Sequence, residues 1–172
     1  RAFHENDDVQ LWMMCDNPFI DAESTKSWRN FYLHSRLGSK VRILPRVQTH
    51  QEVASIMRAA DCGVYPARAE GWNLELLETM AVGRPVITTF YSAHTEFCND
   101  ENSHLIKIRS LEDAIDGTPF FQGQGKWAHL DNESIDEMRK QIQQSLIEAK
   151  QQQLRDEFGM QFNHMDSRLS LE

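Results

Sequence analysis

Basic residues are scarce in this 172-residue chain: 18 Lys and Arg stand against 26 Asp and Glu, a formal net charge of −8. That balance argues against broad binding to a nucleic-acid backbone, which needs clustered cations. A small anionic ligand held by backbone amides and a few local cations stays open. Cysteine is equally sparse. Cys15, Cys62 and Cys98 are widely separated, odd in number and free of any C-x-x-C spacing. They read as reduced thiols of an intracellular protein, and the expected location is cytoplasmic. The seven histidines lack H-E-x-x-H or comparable spacing, so no metal site is expected. No apolar run reaches the length of a membrane span, and no signal peptide opens the chain. Both ends read as cut: the chain opens on Arg1 in what resembles the end of a helix, and Leu171-Glu172 fits a cloning remnant.

What is present is an alternation of strands and helices. "VQLWMMC" (9–15), "KVRILPRV" (40–47), "DCGVYPA" (61–67), "RPVITTF" (84–90) and "SHLIKI" (103–108) are short apolar runs bounded by turn formers, predicting five strands. Between them, "ESTKSWRNFYLHSRLG" (23–38) carries Trp28, Phe31, Tyr32 and Leu37 at a rough helical period and is expected to stop at Gly38. "THQEVASIMRAA" (49–60) is amphipathic with Thr49 as N-cap, and "NLELLETMAVG" (73–83) runs from an Asn73 cap to a Gly83 stop. "AHTEFC" (93–98) reads as a short helical piece. Connections of a few residues imply βαβ crossovers, hence an α/β fold with a parallel sheet covered on both faces.

Beyond Arg109 the character changes. "DGTPFFQGQGKW" (116–127) is dense in loop formers and is expected to be an irregular connection. From Asn132 to Phe158, Ile135, Met138, Ile142, Leu146, Ala149 and Leu154 trace one apolar stripe on a long helix, read as core packing. The expected organisation is a sheet-and-helix domain over 1–130 and a C-terminal helical segment over 131–172 that packs on it.

The chemistry concentrates in "EGWNLELLE" (70–78). In doubly wound sheets ligands sit beyond the carboxyl ends of the strands, where residues 66–73 fall. A helix starting near Asn73 offers free N–H groups and a partial positive charge, suited to phosphate. Gly71 would let backbone approach a ligand closely. Glu70 at the crevice lip and Glu78 about one and a half turns into the helix are acceptors, matched to sugar hydroxyls. The spacing suggests a nucleotide sugar without establishing one.

"YPARAEGWNLELLETMAVGRPVITT" (65–89) closely resembles the signature of the retaining glycosyltransferases of the GT-B fold, especially their large family 4. The chain keeps Pro66, Glu70, Gly71, Trp72, Leu74, Leu77, Glu78, Met80, Ala81, Gly83, Pro85, Val86 and Ile87, with Thr79 for the usual alanine. The likeness runs in weaker form from about Ala2 to about Ile108. It implies a Rossmann-like doubly wound parallel sheet, the C-terminal half of a GT-B fold, with C-terminal helices. It implies the donor-binding domain of a retaining enzyme that moves a hexose from a nucleotide-diphosphate sugar to an acceptor hydroxyl. Glu70, in the catalytic position, would contact the donor hexose near its 3-hydroxyl. The amides of Gly71, Trp72 and Asn73 would lie close to sugar and diphosphate, and Leu74 N–H would add a phosphate or ribose contact. Glu78 would bind the ribose hydroxyls, and Arg46 and Val47 would meet the nucleobase. Neither cofactor nor metal is implied. The implied partner is an N-terminal acceptor-binding domain lying upstream, and transfer would proceed by front-face attack.

Two departures stand against the pattern. The family's Arg and Lys clamp on the diphosphate would lie upstream of Arg1. The glycine-rich turn expected after the fourth strand is "FYSAHTE", with Ser92 and Ala93 for glycines, though Glu96 keeps the acidic position. Bland readings stand beside several residues: Glu75 as a solvated helix face, Trp72 as an edge plug, Arg84 as a dipole complement, and His94 and His104 as satisfied or exposed rather than catalytic. Arg68 reads as a surface arginine, with phosphate neutralisation as the alternative. Two other functions fit the same residues. One is a non-catalytic nucleotide-sugar-binding or interaction module with a degenerate GT-B fold. The other is a related GT-B enzyme, an epimerase or glycan phosphorylase, which "EGW" and the glutamate spacing fit less well.

Overall fold

Why each segment adopts its form is clearest at the caps. The computed structural model describes residues 2–14 and 19–169, with side chains to residue 156. Cys15, the end of the first predicted strand, lies outside the described residues. The chain separates into two compact units, Arg1–Ile56 and Met57–Glu172.

In the first unit, residues 2–10 form turns rather than the end of a helix. Strands β1 (Leu11–Met13) and β2 (Val41–Ile43) pair in parallel, Leu11 opposite Val41, and Leu44 N–H extends the ladder to Met13 O at 2.8 Å. Helix α1 (Ala22–Leu33) starts where the Asp21 carboxylate accepts from Ser24 N–H at 2.8 Å. It stops at Leu33, short of the expected Gly38, because His34 turns its backbone N–H and its Nδ1 back onto Asn30 O. None of its residues is buried, and Trp28, Phe31 and Tyr32 pack on one another with centroids 5.3–6.3 Å apart. Helix α2 (His50–Ala59) opens with the predicted Thr49 cap in reciprocal form: Glu52 N–H donates to Thr49 Oγ1 at 3.2 Å, and Thr49 N–H donates to Glu52 Oε2 at 2.9 Å.

The second unit is built on a three-stranded parallel sheet in the order β3 (Gly63–Tyr65), β4 (Val86–Thr89), β5 (His104–Ile106). Parallel pairing forces a crossover after each strand, and α3 (Leu74–Ala81) supplies the one between β3 and β4. All four residues of β4 are buried, as a central strand covered on both faces requires. Leu76, Val86, Cys98 and Leu105 form the core cluster, with Tyr65, Met80 and Phe97 packed against it. Helix α3 ends as its sequence predicts. Gly83 takes φ 77°, and the N–H groups of Val82, Gly83 and Arg84 close on the last turn's carbonyls.

Residues 116–127 are not an irregular connection. They belong to an antiparallel hairpin, β6 (Leu111–Ile115) against β7 (Gln122–Ala128), with a register irregularity between Asp113 and Ile115. Cross-strand partners outweigh the glycines: Glu112 faces Trp127, and Asp113 faces Lys126 and pairs with it. Gly123 takes φ 96°, so here a loop former serves the strand. Helix α4 (Asn132–Leu169) starts from Asp131, whose carboxylate accepts from Ser134 N–H at 2.8 Å, and it packs against β4 and β5. The predicted apolar stripe is half-buried from Ile135 to Ala149, whereas Leu154 is exposed. Among the side chains described in α4, Ser134 and Ser145 are the fully buried ones, and Gln141 Nε2 donates to Leu105 O at 3.1 Å. The fold is thus α/β with parallel sheets and a C-terminal helix, in keeping with a Rossmann-like domain.

Two predictions follow from packing and caps. A Cβ on Gly63 would stand 2.7 Å from Tyr65 Cε2 and 2.9 Å from Thr79 Cγ2. The tyrosine cannot swing aside cheaply, since its hydroxyl is bonded to Glu75 O and Thr79 Oγ1. Gly63→Ala therefore destabilises by about 1–3 kcal/mol in urea unfolding. The helix caps set an acid limb. The Asp131 carboxyl is held below its ordinary value of 3.8 by the backbone and hydroxyl of Ser134, and that of Asp21 likewise by Ser24. Glu52 is held below 4.5, chiefly by the Thr49 hydroxyl. Groups with depressed folded values contribute stability in full above their unfolded values and lose it as pH falls through the folded ones. Urea midpoints should fall as pH drops below about 4.5, and Asp21→Asn, Glu52→Gln and Asp131→Asn combined should flatten that limb.

Candidate active site

Parallel strands end together. Tyr65, Thr89 and Ile106 close β3, β4 and β5 on one edge of the sheet, and the segments that leave β3 and β4 there are residues 66–73 and 90–96. Loop peptide groups at such an edge need partners, and here side chains of β4 and the following turn supply them. Thr88 Oγ1 donates to Tyr65 O at 3.1 Å, Thr89 Oγ1 to Ala67 O at 2.6 Å, and Ser92 Oγ to Glu70 O at 2.6 Å. Glu70 N–H returns to Ser92 Oγ at 3.3 Å, and Ala93 N–H reaches Glu70 O at 3.4 Å. The Glu70 backbone is held from several sides while its carboxylate stays exposed.

Ser92 makes this possible by taking φ 60°, the left-handed conformation that glycine adopts readily. The departure from a glycine-rich turn is thus a change of side chain with the glycine-like backbone kept at Ser92, and the added hydroxyl binds the Glu70 loop.

The hairpin secures the same loop. Ala128 N–H donates to Arg68 O at 2.7 Å, and Tyr91 hydroxyl donates to Lys126 O at 3.0 Å. The Arg68 guanidinium lies 4.4 Å from the Trp127 ring centroid and pairs with Glu112, which His129 also approaches at 3.4 Å. Arg68 is thus the surface arginine the sequence suggested, with Glu112 and Trp127 as its partners.

At the head of α3, Asn73 takes φ 70°, and its Oδ1 accepts from Leu76 N–H at 3.1 Å, the predicted N-cap. Its Nδ2 reaches His94 Nε2 at 2.9 Å. His94 is fully buried, with Nδ1 2.8 Å from Thr88 Oγ1 and 3.0 Å from Thr89 O. The sequence reading of His94 as satisfied rather than catalytic agrees with this burial and these contacts, though it named none of the partners. The signal that points to it is the tandem Thr88-Thr89 at a strand end, where buried hydroxyls require a polar companion. Trp72 is half exposed and packs on Phe97 with centroids 5.4 Å apart, so the edge-plug reading describes part of its ring. Leu74 is 63% exposed although apolar.

Glu70, Gly71, Trp72, Asn73, Leu74 and Glu78 therefore share one loop and one helix. Both glutamates are exposed, and neither pairs with a cation among the described residues. A Cβ built on Gly71 meets nothing within 4 Å, so the glycine borders open space rather than packed protein. Arg46 and Val47 follow β2 in the other compact unit. Arg46 is exposed, and Val47 lines an open cavity of about 480 Å³ with Thr49, Gln51, Glu52, Ser55 and Ile56. Cys62 and Cys98 are free, and burial pushes the Cys62 thiol up to about 11, with Asp61 adding to the shift. Burial raises Cys98 as well, so neither is a ready nucleophile. No helix among the described residues is long and apolar enough to cross a membrane.

A family model described as glycosyl transferases group 1 matches residues 1–117. No curated protein and no solved structure matches the chain. The match takes in β1 to β6, the 66–73 loop, α3 and the 90–96 turn, and stops before β7 and α4. Spanning more than half of the sequence, it makes the chain a member of the glycosyl transferases group 1, with a role in glycosyl transfer.

Proposed function

We propose that this chain is the donor-binding domain of a retaining glycosyltransferase of the GT-B fold, family 4, that moves a hexose from a nucleotide-diphosphate sugar to an acceptor hydroxyl. The carrying observation is the open space at Gly71, next in the chain to the exposed Glu70 and just before α3, on which the exposed Glu78 lies. A glycine with neither positive φ nor a neighbour to accommodate has no reason internal to the fold, and a ligand's close approach is one that fits. The diphosphate would rest at the α3 N-terminus, among the amides of Gly71, Trp72, Asn73 and Leu74. Glu70 would accept from the hexose near its 3-hydroxyl and serve as the catalytic carboxylate, while Glu78 accepts from the ribose. Transfer in this reading needs no metal or cofactor: the leaving phosphate takes the acceptor's proton as the acceptor attacks from the same face. An acceptor-binding domain is the implied partner, and the cytoplasm the implied compartment.

A second reading, a nucleotide-sugar-binding module without transfer, draws on Arg68. Its guanidinium pairs with Glu112 and stacks on Trp127 rather than standing free beside the loop, and the family's Arg and Lys clamp is not among these residues. Because a donor-binding domain alone is incomplete for catalysis, product analysis with labelled donor on the chain joined to its acceptor-binding domain separates the readings: glycoside or free sugar means transfer, and intact donor at saturation favours the module.

Calorimetry against UDP-, GDP- and ADP-hexoses tests the shared part, and no binding by any of them would refute both. Glu78→Ala should weaken binding about 10- to 100-fold, the worth of a hydrogen bond to a charged group. Gly71→Ala should leave the urea midpoint within about 0.5 kcal/mol of the parent while reducing donor affinity, because its Cβ meets only the ligand's space. With the acceptor-binding domain restored, Glu70→Gln should lower the rate of donor turnover more than donor affinity; an equal loss in both would remove its catalytic assignment.

A further inference from the structure

His94 lies outside every contact the donor reading requires, yet it is fully buried with both ring nitrogens engaged. Its proton can be placed from its neighbours. Leu76 N–H must donate to Asn73 Oδ1, which turns the Asn73 Nδ2 donor toward His94 Nε2. Nε2 must then accept, so it carries no proton. On the other side Thr89 offers a carbonyl at 3.0 Å, which only accepts, so Nδ1 carries the proton. Thr88 agrees: its hydroxyl donates to Tyr65 O and therefore accepts from Nδ1–H. One chain of polarised bonds runs from the end of β4 through the imidazole to the cap of α3.

That chain has a mechanical consequence. Asn73 takes a left-handed φ of 70°, a conformation asparagine tolerates better than other non-glycine residues and that the Leu76 and His94 contacts of its amide hold in place. Asn73 also stands among the peptide groups that the donor diphosphate would meet. We propose that His94, as the Nδ1–H tautomer, is a positioning residue that holds the Asn73 cap and so fixes the N-terminal turn of α3 against which a nucleotide sugar binds; this rests on the donor-binding reading above. It never touches the ligand. It acts by keeping one amide from rotating.

Two measurements test the role. Long-range ¹H–¹⁵N correlation spectra of the wild-type chain should show His94 protonated at Nδ1 and bare at Nε2. Asn73→Asp keeps an oxygen for Leu76 N–H but sets a second acceptor against Nε2, so the spectrum should change to one with a proton on Nε2. A wild-type spectrum with the proton on Nε2, or an unchanged spectrum in Asn73→Asp, overturns the proposal. Affinity for the tightest-bound of a panel of UDP-, GDP- and ADP-hexoses is the second readout, with thermal midpoints recorded in parallel. His94→Gln, which can return an acceptor near the Nε2 position, should retain most of the affinity. His94→Asn, which reaches only the Nδ1 position, should lose about tenfold. Asn73→Gly accepts the left-handed φ without strain and guards against misfolding of the histidine variants; it too should lose affinity. Lower thermal midpoints with undiminished affinity in His94→Asn and Asn73→Gly would make His94 a structural residue only and overturn the positioning role alone. Absence of nucleotide-sugar binding by the wild-type chain overturns the donor reading and this role with it.

Discussion

A parallel sheet ends with its strands' carboxyl termini on one edge, and the loops leaving that edge have peptide groups with no ladder to join. The second unit meets this need with side chains rather than more sheet. Thr88, Thr89 and Ser92 satisfy the carbonyls of Tyr65, Ala67 and Glu70 in turn, and the hairpin supplies Ala128 N–H to Arg68 O. Where such bonds are shielded from water, as in part at Thr88 and Thr89, they matter more for what their loss would leave unpaired than for what each adds. The loop is held on three of its carbonyls and on the Tyr65 carbonyl that leads into it, while the Glu70 carboxylate and the space over Gly71 stay open.

From that constraint the rest of the site follows. A loop fixed in this way delivers Asn73 to the head of α3 with its amide already divided between two tasks, capping Leu76 and meeting His94. The core beneath is small, and much of it is polar: Thr79, Thr88, Thr89 and His94 are buried beside Leu76, Val86, Ile87 and Ile106. Such a core gives specificity to the arrangement of the edge, since each polar group accepts only one geometry of its partner.

The local features were legible because they depend on neighbours within a turn or two. Thr49 with Glu52, Asn73 with Leu76, and Gly83 after Met80 are short-range hydrogen-bond patterns, and each appears where the residue types predict it. The β3–β5 strands were equally legible, since their apolar runs are short and bounded by turn formers. The hairpin was not. "DGTPFFQGQGKW" is rich in residues that open loops, and its strand character comes from pairing with Glu112 and Asp113 across the ladder. The end of α1 was misplaced because His34, no strong breaker by type, folds back on Asn30, while Gly38 belongs to the following 3₁₀ turn.

The sequence by itself determined the alternating α/β order, the caps, and the cluster of Glu70, Gly71, Asn73 and Glu78 on one loop and one helix, because all of these are set by contacts between residues close in the chain. Only the tertiary structure decided which residues stand behind that cluster. His94 is 21 positions from Asn73, Ser92 is 22 from Glu70, and Glu112 is 44 from Arg68. Nothing in a local pattern specifies such pairs. The first two exist because parallel pairing brings the ends of β3 and β4 to one edge, where the groups left over by the ladder must find each other; the third exists because the hairpin docks there through Ala128 N–H and Arg68 O.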